Sequence, residues 1–372
     1  MSGGSLETVV RSKDVVVCAG SGGVGKTTTS AAIAAGMAAR GNKVIVLTID
    51  PARRLADALG LPAVGNEECR VAPERLERAG LDGNTSGELW AMTLDAKRTF
   101  DELVERNAPD AATRDAVLGN SIYRQLSNAV AGSQEYMAME KLYELHQSGR
   151  YDLVVLDTPP SRNALDFLEA PGRLTRFVDS RSLAFFRASG GVGLGLFGRG
   201  AGALFAVLKR ATGLDLLHDL ADFFNAFGGM AQGFRDRAQS VEALLRDQRS
   251  VFLLITAPRA AAISEAGFFH DRLVELDIPL GGVVVNRVRR RVNVSTGQAL
   301  EDALSVCLDP QLARKVSRNT DDHNRLADRD AENVERLVKQ VGTTPTFIVP
   351  QLSGDVHELE ALATMAKCLL RS

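Results

Sequence analysis

A doubly wound α/β fold on a mostly parallel sheet is predicted by three observations. Strand-like and helix-like segments alternate along the 372 residues, the pattern of repeated β-α-β units. Several strand segments are unbroken apolar runs, such as Leu153-Val154-Val155-Leu156 and Val251-Phe252-Leu253-Leu254-Ile255, as expected when both sheet faces are covered. Residues 20–27 read Gly-Ser-Gly-Gly-Val-Gly-Lys-Thr and join the β-branched run Val15-Val16-Val17 to an Ala-rich helical pattern, where a phosphate-binding loop must sit.

Taken in order, strands are predicted at 14–19, 43–48, 88–93, 152–157, 251–256, 281–286 and 346–349. Helical patterns occupy 28–40, 96–107, 121–148, 235–248, 259–276, 320–340 and 355–370. Ligands of such sheets bind beyond the carboxyl ends of the strands, which directs the search for chemistry to those ends.

The loop after the first strand carries the most specific signal. Its residues Gly20, Ser21, Gly22, Gly23, Val24, Gly25, Lys26 and Thr27 fit G-x-x-x-x-G-K-[ST], and Thr28 opens the helical run. Successive backbone N–H groups and the helix N-terminus make an anion cradle for the α- and β-phosphates. Lys26 is expected to reach the β- and γ-phosphates and the Thr27 hydroxyl to ligate Mg²⁺. The second strand ends in Thr48-Ile49-Asp50-Pro51-Ala52-Arg53-Arg54, and the fourth in Asp157-Thr158-Pro159-Pro160-Ser161. An Asp closing an apolar strand suits a Mg²⁺ partner, which is the role expected of Asp157. Asp50 would face the γ-phosphate and contribute to the metal site, where a carboxylate can orient or deprotonate the attacking water. The alternative for Asp50 is an N-cap of the segment beginning at Pro51.

With these motifs in place, the chain resembles the ArsA family of ATPases, P-loop NTPases with a deviant Walker A loop that include arsenite-pump and guided-entry, tail-anchored-protein-targeting ATPases. The resemblance rests on Gly-Gly-Val-Gly-Lys-Thr-Thr, Thr-Ile-Asp-Pro-Ala, Asp-Thr-Pro-Pro-Ser and Val-Val-Val-Asn-Arg at 283–287, in that order, and runs from about residue 14 to about residue 366. It implies that residues 50–60 form switch I, with Asp50 the water-activating carboxylate, and that 157–165 form switch II. It implies that Asn286 and Pro350-Gln351-Leu352 recognise adenine, and hence that ATP is bound rather than GTP. Ala131-Gly132-Ser133-Gln134-Glu135 resembles the family's Pro-Gly-x-Asp/Glu-Glu segment without its proline; an ordinary helix start is the alternative.

One position departs from the pattern. The family's second, signature lysine follows the first loop glycine, and here Ser21 stands in its place. In the family's dimer that lysine reaches the partner's phosphates, the kind of trans cation worth ~10³–10⁵ in rate, and a hydroxyl carries no charge to replace it. Either the chain pairs with a paralogue that retains the lysine, or a cation such as Arg53, Arg54 or Arg162 substitutes. The first is favoured, because the chain resembles the BagB-type subunit of paired actinobacterial ArsA-like proteins; a slow homodimer is the remaining alternative. Only one phosphate loop is present, so a second copy is expected from another chain.

Residues 177–234 are expected to form a helical insertion in an ATPase domain of residues 1–176 and 235–372. Nine of the fifteen phenylalanines fall there, and seven of the thirteen residues in 190–202 are glycine, a pairing that suits a mobile apolar surface better than a rigid core. Leu217, Leu220, Phe224 and Phe227 share one helical face, opposite Asp215, Asp219 and Asp222. The resemblance makes this a client-binding groove over the dimer; a packed helical subdomain is the alternative.

Apolar residues at 45% and charged residues at 24% suit a globular enzyme, and a net charge of −2 gives no basic field for nucleic acid. Cys18, Cys69, Cys307 and Cys368 form no C-x-x-C pair, which argues against a disulfide framework, a cysteine zinc site or clustered arsenite thiolates. The basic run Arg287, Arg289, Arg290, Arg291 suits a solvated or partner-facing loop or an anionic contact. The whole reading is a cytoplasmic, Mg²⁺-dependent ATPase, an ATP-gated dimer that handles a hydrophobic client or membrane protein. A low-turnover nucleotide-binding scaffold and a partitioning or positioning ATPase are the alternatives, with an arsenite-efflux ATPase less well supported.

Overall fold

The computed structural model describes residues 5–50, 52–62, 64–81, 87–121, 123–124, 133–158, 216–352 and 359–370. Its described elements run α1 (Leu6–Val10), β1 (Val15–Ala19), α2 (Lys26–Ala38), β2 (Lys43–Thr48), α3 (Arg54–Ala58), β3 (Cys69–Arg70) and α4 (Pro73–Arg78). Next come β4 (Glu88–Thr93), α5 (Ala96–Asn107), α6 (Ala111–Gly119), α7 (Ser133–Gln147), β5 (Leu153–Asp157) and α8 (Leu216–Arg246). The chain continues with β6 (Ser250–Thr256), α9 (Ala260–Glu275), β7 (Leu280–Val288), α10 (Gly297–Leu304), α11 (Pro310–Val341), β8 (Thr346–Pro350) and α12 (Leu359–Leu369).

The eight strands form one sheet in the order β3-β4-β2-β5-β1-β6-β7-β8. Every neighbouring pair is parallel except β3 with β4. The predicted doubly wound sheet is therefore the observed one. All seven predicted strands are present; β3, two half-exposed or exposed residues on the edge, carries too little apolar pattern to be read from sequence.

β1 lies between β5 and β6, so the chain leaves it toward one edge for β2 and returns past it to β6. The loop following β1 thus sits where the strand order reverses, the place such sheets bind ligands. Alternate residues of β1, Val16 and Cys18, join Val44, Val46, Val155, Leu253 and the helices α2 and α12 in one core. Their neighbours Val15, Val17, Ile45, Leu47, Val154 and Leu156 are buried as well, which explains the unbroken apolar runs. Helix α2 is Ala-rich because it must lie close: a Cβ on Gly36 would sit 2.4 Å from Leu370 Cδ1 and 3.1 Å from the Cβ of Ala366 in the α12 region.

Several helices extend past their predicted limits. Helix α2 starts at Lys26 because Gly25, in the left-handed region at φ 92°, ends the loop there. Helix α11 starts at Pro310, ten residues before the predicted 320, where the Asp309 carboxylate caps the N–H groups of Gln311 and Leu312 and Pro310 needs no N–H partner. Its first turns bury Ala313 and Ser317, too weak an apolar period to register. Helix α8 starts at Leu216 rather than 235, and α7 at Ser133; of the predicted 121–148 helix, residues 122 and 125–132 lie outside the described residues.

The chain divides into two units, Met1–Thr93 with Leu145–Ala164 and Leu245–Ser372, and Leu94–Glu144 with Leu165–Leu244. The second unit takes in residues on the amino-terminal side of the expected 177–234 insertion, whose residues 177–215 lie outside the described ones. Within this unit Phe100 stacks on Tyr123 at 5.4 Å and meets Phe234 edge-on at 6.1 Å. Phe223, Met230 and Phe234 of α8 are buried, so these two phenylalanines of the nine serve as core. The buried Glu140 carboxylate accepts from Arg237 Nε at 2.7 Å, and the same guanidinium lies 4.3 Å from the Tyr143 ring.

Because α12 packs on the helix that follows the phosphate loop, its core residues report on that loop's support. Leu362→Ala, at a fully buried position, is expected to destabilise the chain by about 2–5 kcal/mol in urea unfolding.

Candidate functional site

The loop from Gly20 to Gly25 joins β1 to α2, with Gly20, Gly23 and Gly25 all at positive φ. Gly25 also allows a close approach, since a Cβ there would meet Asn286 Nδ2 at 2.3 Å. Asn286 is buried near the end of β7 and donates from Nδ2 to the Val24 carbonyl at 2.9 Å. A register shift between Val285 and Val288, with Arg287 in the left-handed region at φ 63°, accompanies this turn of the strand end. The predicted adenine residue therefore braces the loop, with Nδ2 committed to its backbone.

Lys26, at the first position of α2, is buried and donates from Nζ to the carbonyls of Gly20 and Ser21, both at 2.8 Å. Burial pushes its pKa below the ordinary lysine value; the carboxylates of Asp157 and Asp50 oppose that shift, and Arg54 adds to it. The Ser21 side chain is half-buried, while Gly22 and Gly23 are exposed. Thr27 and Thr28 are half-buried in the first turn of α2.

The strand ends beside the loop are tied by one hydroxyl. Thr48 Oγ1 donates to Asp157 Oδ2 at 2.8 Å and accepts from the Asp50 backbone N–H at 3.2 Å. Asp157 is fully buried, and burial pushes its pKa up to about 6 against the opposing influence of Thr27, Thr48 and Lys26. Its Oδ1 has no hydrogen-bond partner. Asp50 is mostly buried; Oδ1 accepts from the Ala52 N–H at 2.9 Å, and Oδ2 lies 3.3 Å from Arg54 Nη1. Both sequence readings of Asp50 thus meet in one side chain, which caps the following turn and stands beside the phosphate loop.

Next to Asp157, Thr158 Oγ1 donates to the Cys18 carbonyl at 2.8 Å, locking β5 to β1. The Cys18 thiol is fully buried and its pKa is pushed up to about 12, which keeps it protonated and unreactive. Pro350 pairs with Val288, and the Gln351 N–H donates to the Val288 carbonyl at 2.9 Å. Gln351 is exposed and Leu352 packs against the core, so this segment lies one strand from Asn286. In the basic run, Arg289 is held by Asp330 and Arg291 by Asp328, both from α11. Residues 125–132 and 159–215, which include the first two residues of the Pro-Gly-like segment and all of the expected switch II after Thr158, lie outside the described residues.

The sequence reading brought Lys26, Thr27, Asp50 and Asp157 to one place; it missed Thr48, Thr158 and the pairing of Arg54. The only signal for Thr48 was its position two residues before Asp50 at a strand end. No described helix is long and apolar enough to cross a membrane.

Residues 13–297 match the family model described as anion-transporting ATPase, ArsA. The chain is 25% identical over 287 residues to the ATPase GET3 of Malassezia globosa, covering 76% of each chain. It is 26% identical over 289 residues to the ATPase ARSA2 of Chlamydomonas reinhardtii, covering 76% of this chain and 71% of that one. It is also 24% identical to an ATPase ASNA1 homolog of Babesia bovis over 383 aligned residues, covering 98% and 94%. A family match over most of the chain, on a loop and strand ends built in this way, has one reading: the chain belongs to the anion-transporting ATPase (ArsA) family and is a P-loop ATP hydrolase.

Proposed function

We propose that this chain is a Mg²⁺-dependent, cytoplasmic ATPase that works as one half of an ATP-gated dimer and handles a hydrophobic client or membrane protein. The observation that carries the catalytic part is that Thr48 ties Asp50 and Asp157 together at neighbouring strand ends, beside the loop that holds Lys26. In this reading the loop amides and Lys26 bind the phosphates, and Asp50 orients and deprotonates the attacking water.

The residues fit Mg²⁺. Asp157 offers a buried carboxylate oxygen without a partner, beside the Thr27 hydroxyl. Mg²⁺ takes few protein ligands and completes its shell with phosphate oxygens and water, so one hydroxyl and one carboxylate suffice. When bound, it offsets charge on the β- and γ-phosphates. Asp50 has both oxygens engaged, by Ala52 and Arg54, so a role toward water or metal would need one of them released. Asn286 braces the loop through Nδ2, and its carbonyl oxygen together with Pro350, Gln351 and Leu352 would contact the adenine amine and edge.

The partner and client parts rest on the family resemblance and on Ser21. A loop without its second lysine suits a partner that supplies it, either a paralogue or, with lower turnover, a second copy of this chain. The 177–234 segment is the proposed client surface, with the buried Phe223 and Phe234 anchoring it to the second unit's core. The same serine supports a second reading, a nucleotide-binding scaffold with little turnover.

Steady-state hydrolysis with and without a lysine-bearing paralogue separates the two readings, because a scaffold stays silent in both. Asp50→Asn is expected to abolish turnover of the active pair while nucleotide affinity changes by no more than about fivefold; full activity in that variant removes Asp50 from catalysis. Ser21→Lys is expected to raise hydrolysis by the self-associated chain by at least about tenfold. An unchanged rate, with a dimer seen by native mass measurement, would show that the missing cation is not limiting.

A further inference from the structure

We propose that Arg54 is the side chain by which this protein recognises the γ-phosphate of ATP, exchanging its ion pair with Asp50 for the phosphate. This rests on the reading of residues 20–27 as an ATP cradle and adds to it a sensor for the third phosphate.

Three arginines could stand in for the cation that Ser21 lacks, and the structure separates two of them. Arg53 turns away and donates from Nη2 to the Pro62 carbonyl at 3.0 Å. Arg162 lies outside the described residues. Arg54, the first residue of α3, lies against Asp50 at 3.3 Å and repels the Lys26 ammonium, so its guanidinium stands at the edge of the same cradle. Its side chain is 65% exposed, against 15% for Asp50. An exposed guanidinium beside a phosphate loop is placed to move.

The energetics favour an exchange. An ion pair this exposed is weak, because water screens it and the long side chain loses freedom in making it. A terminal phosphate carries more negative charge than one carboxylate and presents oxygens that match the guanidinium fork, so its hydrogen bonds with Arg54 are the stronger ones. ADP has no terminal group at that place and leaves the pair with Asp50 intact. The exchange would release Asp50 Oδ2 at the moment a γ-phosphate arrives. Asp50 then keeps its bond from Ala52 N–H through Oδ1 and has one oxygen available for water. Arg54 in this role touches substrate directly and also gates the carboxylate four residues before it.

The test compares Mg²⁺-ADP with a Mg²⁺-bound, hydrolysis-resistant ATP analogue by calorimetry on the full chain. Arg54→Ala and Arg54→Gln are both expected to weaken the triphosphate about tenfold or more while ADP affinity stays within about twofold. Arg54→Lys should recover part of the loss. Asp50→Asn removes the phosphate's competitor for Arg54 and is expected to tighten the triphosphate by up to about fivefold, a gain that must vanish when Arg54→Ala is added. Equal losses for both nucleotides, no loss for either, or a gain in Asp50→Asn that survives removal of Arg54 would overturn the assignment while leaving the ATPase reading in place. Failure of the unaltered chain to bind either nucleotide would overturn both.

Discussion

The Thr48 hydroxyl is the contact around which this site is organised. It has one proton to give and lone pairs to accept with, and it uses both: the proton goes to Asp157 on β5, and Asp50's own N–H comes back to it. β2 and β5 are paired in register at Thr48 and Asp157, so the bridge is a property of the sheet and not of a loop. It fixes the position of a carboxylate that burial alone would expel or neutralise. It also fixes where the chain departs β2, and so where the Asp50 carboxylate stands relative to Lys26. Without that hydroxyl, the sheet would still set the two strand ends side by side, but no side chain would link the two acids.

The origin of each functional group, within one loop or from strands distant in sequence, explains what could be read from sequence. The central strands were legible because parallel strands buried on both faces are unbroken runs of Val, Leu and Ile; β4 and β8 are only partly buried yet still apolar, and β3, an edge pair at Cys69–Arg70, has too little apolar pattern to read. Lys26 and Thr27 were legible because a phosphate loop is local, with all its parts inside eight residues. Thr48 and Thr158 were not, since the group each one holds lies 109 and 140 residues away. Asn286 was recognised for a base contact, but its amide donor is turned onto Val24, a use visible only when β7 and the loop are side by side. The early start of α11 was available in principle from Asp309-Pro310, a cap followed by a proline that needs no N–H partner.

The second unit follows a different economy. Its described core mixes rings with charges: Phe100, Tyr123 and Phe234 pack together, while Glu140 is fully buried against Arg237 and Lys141 is held between Glu102 and Glu144. Burial pushes the Glu140 pKa upward and Arg237 draws it back, so removing the arginine would leave a carboxylate that prefers its proton. Such a core specifies its helix pairing by charge as well as by shape.

Lys26 brings one further consequence. Its ammonium already makes two hydrogen bonds of ordinary length, to backbone oxygens of its own loop. An ammonium has three N–H donors, so in the proposed role one remains for a phosphate oxygen, and any second phosphate contact would trade a carbonyl bond for an equivalent one instead of adding a bond. Such a trade would moderate affinity and ease release, because a departing oxygen would have a waiting replacement. In the proposed role, an ATPase that resets after each turnover would be served better by a lysine with somewhere to return to than by one that clings.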